Sequence, residues 1–119
     1  MKVTSFGKIG ACISTPITAD LDWWTPISAK PPTMKTFLEK VSDDGKFLTG
    51  FWECTPGTYR VVYPGDEMVH MFEGKVIVTA DGEAPKHYSS GDSFFIEAGF
   101  AGTWETIEHV RKIFAIRIA

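Results

Sequence analysis

Tyr63-Pro-Gly-Asp-Glu-Met-Val-His-Met-Phe-Glu-Gly74 opens on a Pro-Gly turn, passes through a segment of strand character and ends on Glu73-Gly74. Lys75-Val-Ile-Val-Thr79 follows at once, a β-branched run that stops at Ala80-Asp81-Gly82. A strand, a glycine turn and a second strand predict a hairpin centred on Gly74. Alternation along the first arm puts Glu67, Val69 and Met71 on one face and Met68, His70 and Phe72 on the other. A carboxylate thus shares a face with apolar side chains, which is costly unless it is paired or used. Glu67 is therefore the first candidate functional residue.

Working outward, the same grammar recurs. Thr36–Val41, the turn Ser42-Asp-Asp-Gly45 and Lys46–Glu53 predict a hairpin, and Thr55-Pro-Gly57 leads into Tyr59-Arg-Val-Val-Tyr63. His87–Ser89 and Ser93–Ile96 flank the turn Ser90-Gly-Asp92. Beyond the glycine-rich bend at 98–102, Gly102–Ile107 and Lys112–Ile118 predict a last hairpin. In its second arm Lys112, Phe114, Ile116 and Ile118 alternate with Arg111, Ile113, Ala115 and Arg117. Short strands separated by frequent turns imply an all-β sandwich or barrel. Residues 1–34 hold Pro16, Pro26, Pro31 and Pro32 and read as an irregular arm with one short strand near Lys8–Ile13. Within it, Trp23-Trp24 needs cover, from the barrel or from a second subunit.

The 119 residues suffice for one core but not two. A formal net charge of −3 argues against a nucleic-acid partner. No apolar run reaches the length of a bilayer span, and the opening residues lack a signal-peptide stretch. Cys12 and Cys54 are isolated, which suits reduced thiols and a cytoplasmic address.

The spacing Glu67, six residues, Gly74 resembles the second half of the first cupin motif. The family's full pattern adds two histidines upstream, and Val61 and Tyr63 stand at those places. In the second motif Gly91-Asp92 and Gly99 match, while Glu97, Gly102 and Thr106 replace its proline, histidine and asparagine. Gly50-Phe-Trp-Glu-Cys-Thr-Pro-Gly57 and Gly99-Phe-Ala-Gly-Thr-Trp-Glu105 are similar to the signature of the small cupins that include ureidoglycine aminohydrolase and the ethanolamine-utilisation cupins. The resemblance implies an all-β cupin, a double-stranded β-helix or jelly-roll barrel, over residues 35–119, with residues 1–34 as an arm on the barrel or the partner subunit. It also implies a homodimer.

What the matched positions lack bears on the chemistry. Of four ligand places only Glu67 keeps an obvious donor, whereas a transition ion needs several converging nitrogen or oxygen ligands. No cofactor is expected, with a transition metal as the alternative. Tyr59, Val61 and Tyr63 share a face that should meet Gly102 and Trp104 across the barrel. Glu67 and Tyr63 are the candidate catalytic base and acid, and Tyr59, Tyr63, Glu67 and Trp104 the candidate substrate-binding residues. The function this supports is binding of a small molecule, with enzymatic activity left open; that it is a small polar metabolite, nitrogen-containing ones included, is what the resemblance implies. The alternatives are a metal-dependent aminohydrolase-like cupin and a non-catalytic oligomerisation or binding module.

Overall fold

The computed structural model describes residues 2–119. Eight strands form the domain: β1 (Trp24–Pro26), β2 (Met34–Val41), β3 (Phe47–Cys54), β4 (Gly57–Val62), β5 (Gly65–Ala80), β6 (Lys86–Ser89), β7 (Ser93–Ile96) and β8 (Ala101–Ile118). All pairing is antiparallel. Two long strands, β5 and β8, belong to both layers. The first half of β8 lies between β4 and the second half of β5, whose far side carries β6. The second half of β8 lies between β3 and the first half of β5, whose far side carries β7. Adding β1 beside β4 and β2 beside β3 completes a curled double-sheet jelly roll.

Two sequence expectations need correcting. The hairpin at Gly74 does not form, because residues 65–80 are one 16-residue strand. Gly74 does take positive φ, +98°, but it serves a bend within the strand. Register against β8 shifts at Met71/Glu73, Glu73/Lys75 and Lys75/Val76, the mark of bulges, which sharpen local twist. A Cβ on Gly74 would lie 2.3 Å from the His109 carbonyl oxygen and 2.8 Å from Val110 Cα. Glycine is thus demanded twice, by conformation and by the close crossing of β8. The last hairpin is absent as well, since Gly102–Ile107 and Lys112–Ile118 are parts of the single 18-residue β8. Residues 107–109 are simply where that strand passes from one layer to the other.

The bulges also change phase. Glu67, Val69 and Met71 point inward before the bend, and Val76 and Val78 after it. On β8 the even positions from Gly102 to Ile116 are buried, apart from Glu108 at the crossing. The arm is stitched down rather than left free: Ile17 and Thr36 exchange both backbone hydrogen bonds at 2.8 and 2.9 Å. The expected strand near Lys8–Ile13 reduces to a single bridge, Lys8 to Ala11. Phe6 packs edge-on against Phe51 at 5.9 Å. Trp24 is 3% exposed and touches the rings of Trp52, Tyr59 and Trp104 at 5.1–5.6 Å. Trp24 is covered by its own barrel, and Trp23 packs half-buried against the same core.

Candidate functional site

Register places the predicted residues in one interior. Tyr59 pairs with Trp104, and Val61 with Gly102, as neighbours on the adjacent strands β4 and β8 rather than across the barrel as expected, because the first half of β8 hydrogen-bonds to β4. Tyr63 and Glu67 flank the turn into β5, and the Tyr63 hydroxyl donates to Glu67 Oε1 at 2.8 Å. Both are buried. Burial and the neighbouring carboxylate push the Tyr63 phenol well above its ordinary value, so it stays protonated and acts as a donor.

Sequence reasoning missed one member of this group. Lys112, on β8, extends its Nζ to within 3.4 Å of Glu67 Oε1. It is 2% exposed. Its Nζ also lies 4.6 Å from the ring centroids of both Trp52 and Trp104, and 5.8 Å from that of Trp24. The signal was present in the alternation, where Lys112 falls in phase with Phe114 and Ile116; a lysine in the apolar phase of a strand is a buried cation. The effects oppose one another. Taking an ammonium out of water costs several kcal/mol. Each indole face returns up to about 2 kcal/mol when desolvated, and Glu67 supplies the opposite charge. Burial wins in direction, since it lowers the Lys112 pKa below 10.5 against the pull of Glu67.

Tyr59 and Trp104 take part differently. The Tyr59 hydroxyl shares its one proton between Asp20 Oδ1 at 2.8 Å and the Pro32 carbonyl at 3.2 Å, tying the arm to β4. Burial, then Asp20, raise its pKa. Trp104 donates its Nε1–H to Thr106 Oγ1 at 3.1 Å and offers its face to Lys112. The structure therefore brings Tyr63 and Glu67 together, keeps Trp104 as a wall, and assigns Tyr59 to the arm contact.

A cavity of about 70 Å³ adjoins the ion pair. The arm roofs it with Leu21, Trp23 and Trp24; Thr36, Trp52, Glu67 and Lys112 are among its walls. Trp24 Nε1 and Thr36 Oγ1 are buried with no hydrogen-bond partner among the described residues. Most buried polar atoms are satisfied, so two orphans around one cavity call for an explanation. By contrast Cys54 is accounted for: its thiol donates to the Thr55 carbonyl at 3.2 Å, and burial pushes its pKa up to about 11, far from a reactive thiolate.

The interior does not fit a transition ion. Among the described residues no three His, Cys, Asp or Glu side chains converge. Val61 and Gly102 supply no donor, and the ammonium of Lys112 sits beside the one carboxylate. His70 points outward and shares a hydrogen bond of 2.7 Å with Ser93. His109, also on the outer surface, lies 3.4 Å from Glu73 and 3.8 Å from Glu53.

A sequence profile of the EutQ-like cupin domain matches residues 41–114. The chain belongs to the EutQ-like cupin family. Its fold is shared by the EutQ protein of Clostridium difficile, at 20% identity and a TM-score of 0.66 over 74% of this chain and 70% of that one. A DUF861-family protein from Thermotoga maritima is 26% identical, with a TM-score of 0.55 over 57% and 77% of the two chains. A Pseudomonas syringae protein of the same family, of unknown function, is 19% identical, with a TM-score of 0.71 over 89% and 47%. No curated protein matches the sequence. Among the described residues no helix is long and apolar enough to cross a membrane.

Proposed function

We propose that this EutQ-like cupin binds a small polar metabolite in the cavity beside Glu67 and Lys112, using organic side chains rather than a metal. The observation that carries the reading is that Trp24 and Thr36, whose Nε1 and Oγ1 are buried without a partner among the described residues, line one cavity together with Glu67 and Lys112. An indole N–H needs an acceptor and a threonine hydroxyl takes either role. A ligand with a carbonyl, carboxamide or hydroxyl group answers both. The volume suits a molecule of few heavy atoms, since one water needs about 10–15 Å³ on this measure. Lys112 already supplies the cation facing Glu67, so the ligand need not be a cation, and small neutral amides join the nitrogen-containing candidates. In catalysis Glu67 would move a proton and Tyr63 would hold it oriented.

A thermal-shift panel of small amides, hydroxy compounds and carbonyl compounds tests this. Ligands that favour the folded state raise the melting temperature of the parent, and Thr36→Val removes the gain without unfolding the protein. A panel with no response, or a response unchanged in Thr36→Val, would overturn the reading.

The outer face of the layer holding β5 and β7 exposes Met68, Phe72 and Phe95. We assign that face to a second copy of the chain, giving a homodimer, because the apolar side chains are adjacent and Met68 stands opposite Phe95 in register. Free thiols at Cys12 and Cys54 suit a reducing cytoplasm.

A further inference from the structure

The Glu67–Lys112 pair has no structural necessity that two apolar residues would not meet, since replacing a buried ion pair as a whole is often neutral or stabilising. A buried amine on a cavity wall therefore asks for a use. Three features surround it. Its nitrogen is held over two indole faces, leaving it little freedom. A carboxylate oxygen stands 3.4 Å away, near enough to exchange a proton. Trp24 and Thr36, whose indole N–H and hydroxyl are buried without a partner among the described residues, line the same cavity.

From this arrangement we infer that Lys112 is an imine-forming nucleophile and that the ligand class is a small carbonyl compound, an aldehyde or ketone of few heavy atoms. The inference rests on the cavity being the ligand site. The Nζ lone pair attacks the carbonyl carbon, and the π pair of the C=O bond moves to oxygen. Glu67 takes a proton from nitrogen and returns it to that oxygen, forming the carbinolamine. Loss of the oxygen as water leaves the imine, so amine plus carbonyl gives imine plus water. Starting from the ammonium, the product is the iminium, with one positive charge on each side. Glu67 and the indole faces that hold the ammonium hold the iminium equally. Trp24 Nε1–H and Thr36 Oγ1–H are the donors available to the oxygen as it gains charge, the role donors play at other developing oxyanions. Burial supports the same role, because it favours the neutral, nucleophilic amine nearer to neutral pH than at a surface lysine.

The test is reductive trapping. The full chain is incubated at pH 7 with propionaldehyde and cyanoborohydride, and the site of alkylation is mapped by peptide mass spectrometry. Alkylation of Lys112 at least tenfold faster than that of the surface lysines is expected. Glu67→Gln should slow that step about tenfold or more while leaving surface alkylation unchanged. Adducts spread over the surface lysines with Lys112 unmodified would overturn the inference, and mapping the parent decides this even if a variant fails to fold. Propionamide, of similar shape but unreactive toward amines, separates the two readings. If it raises the melting temperature while propionaldehyde leaves Lys112 unmodified, the cavity is the ligand site and the imine is wrong. If neither effect occurs, both are wrong.

Discussion

An outer groove and an interior cavity of this small barrel differ sharply, and the larger is the less informative. An open groove of about 710 Å³ lies along β6, β7 and their adjoining loops, floored by Val78, Tyr88, Phe94 and Phe100. Tyr88 and Phe94 stack there at 3.9 Å. Its charged rim includes Asp81, which forms a two-pronged ion pair with the exposed Arg60. Every such group can be satisfied by water. The interior cavity is about a tenth of that volume, yet its walls include both members of the buried ion pair, Glu67 and Lys112, and the two residues Trp24 and Thr36 that carry orphaned side-chain atoms. Volume measures how much can enter a space. Desolvated polar groups measure what the fold was made to meet.

The comparison breaks first at Glu67. Its replacement by alanine strands the Lys112 ammonium in a dry interior and should cost about 3–5 kcal/mol, measured by urea denaturation. A loss below about 1 kcal/mol would mean that water reaches the pair and that the two cavities differ only in size. Glu67→Leu combined with Lys112→Met should recover most of the loss, because an apolar pair needs no partner.

Gly74→Val comes next. It places a Cβ against the β8 backbone at a position with φ of +98°, and should cost about 1–3 kcal/mol in strain. Glu67 and Lys112 in the cavity wall belong to β5 and β8, the strands that meet at this corner, so the cavity's ligand response should fall with stability. A variant as stable as the parent would show that the crossing is loose.

The pH dependence sharpens the contrast further. The folded-state pKa of Lys112 is depressed below its ordinary 10.5. Between the two values the unfolded chain binds more protons than the folded one, so Lys112 makes stability rise with pH across that window. Tyr63 acts oppositely: its pKa is raised above 10.0, so its contribution is complete below 10 and declines as pH climbs beyond it. Stability of the parent relative to Lys112→Met should therefore increase as pH approaches 10. A flat difference would place the amine in contact with solvent.

The smallest effect belongs to the groove. Asp81→Asn breaks an exposed pair, and such pairs contribute little. Its unfolding curve and its response to small ligands should coincide with those of the parent.

Much of the interior was legible before any coordinates. Strict alternation put Glu67 inside and His70 outside, and it aligned Tyr59, Val61 and Tyr63 with Trp104. Connectivity was read less well. A positive-φ glycine between two β runs serves a tight turn or a bulge equally, and only the crossing strand at His109 and Val110 decides for the bulge at Gly74. The last hairpin was expected between Gly102–Ile107 and Lys112–Ile118, whereas the strand runs unbroken through the crossing at 107–109, beyond which Arg111 on its outer face meets Glu53 and Glu73. Lys112 was passed over because its partner lies 45 residues away. The orphaned atoms of Trp24 and Thr36 belong to a roof made by the arm, whose course no local pattern specifies.

The central claim is that ligand enters the interior cavity. The indole N–H resonance of Trp24 reports on it directly, because that donor has no partner among the described residues, while those of Trp52 and Trp104 are engaged by Met34 and Thr106. In a nitrogen-15 titration with a ligand that raises the melting temperature, the Trp24 indole signal should shift most and Thr36→Val should reduce the shift. Unchanged indole signals, with the perturbations gathered on Tyr88, Phe94 and Phe100, would put the ligand in the outer groove and contradict the account.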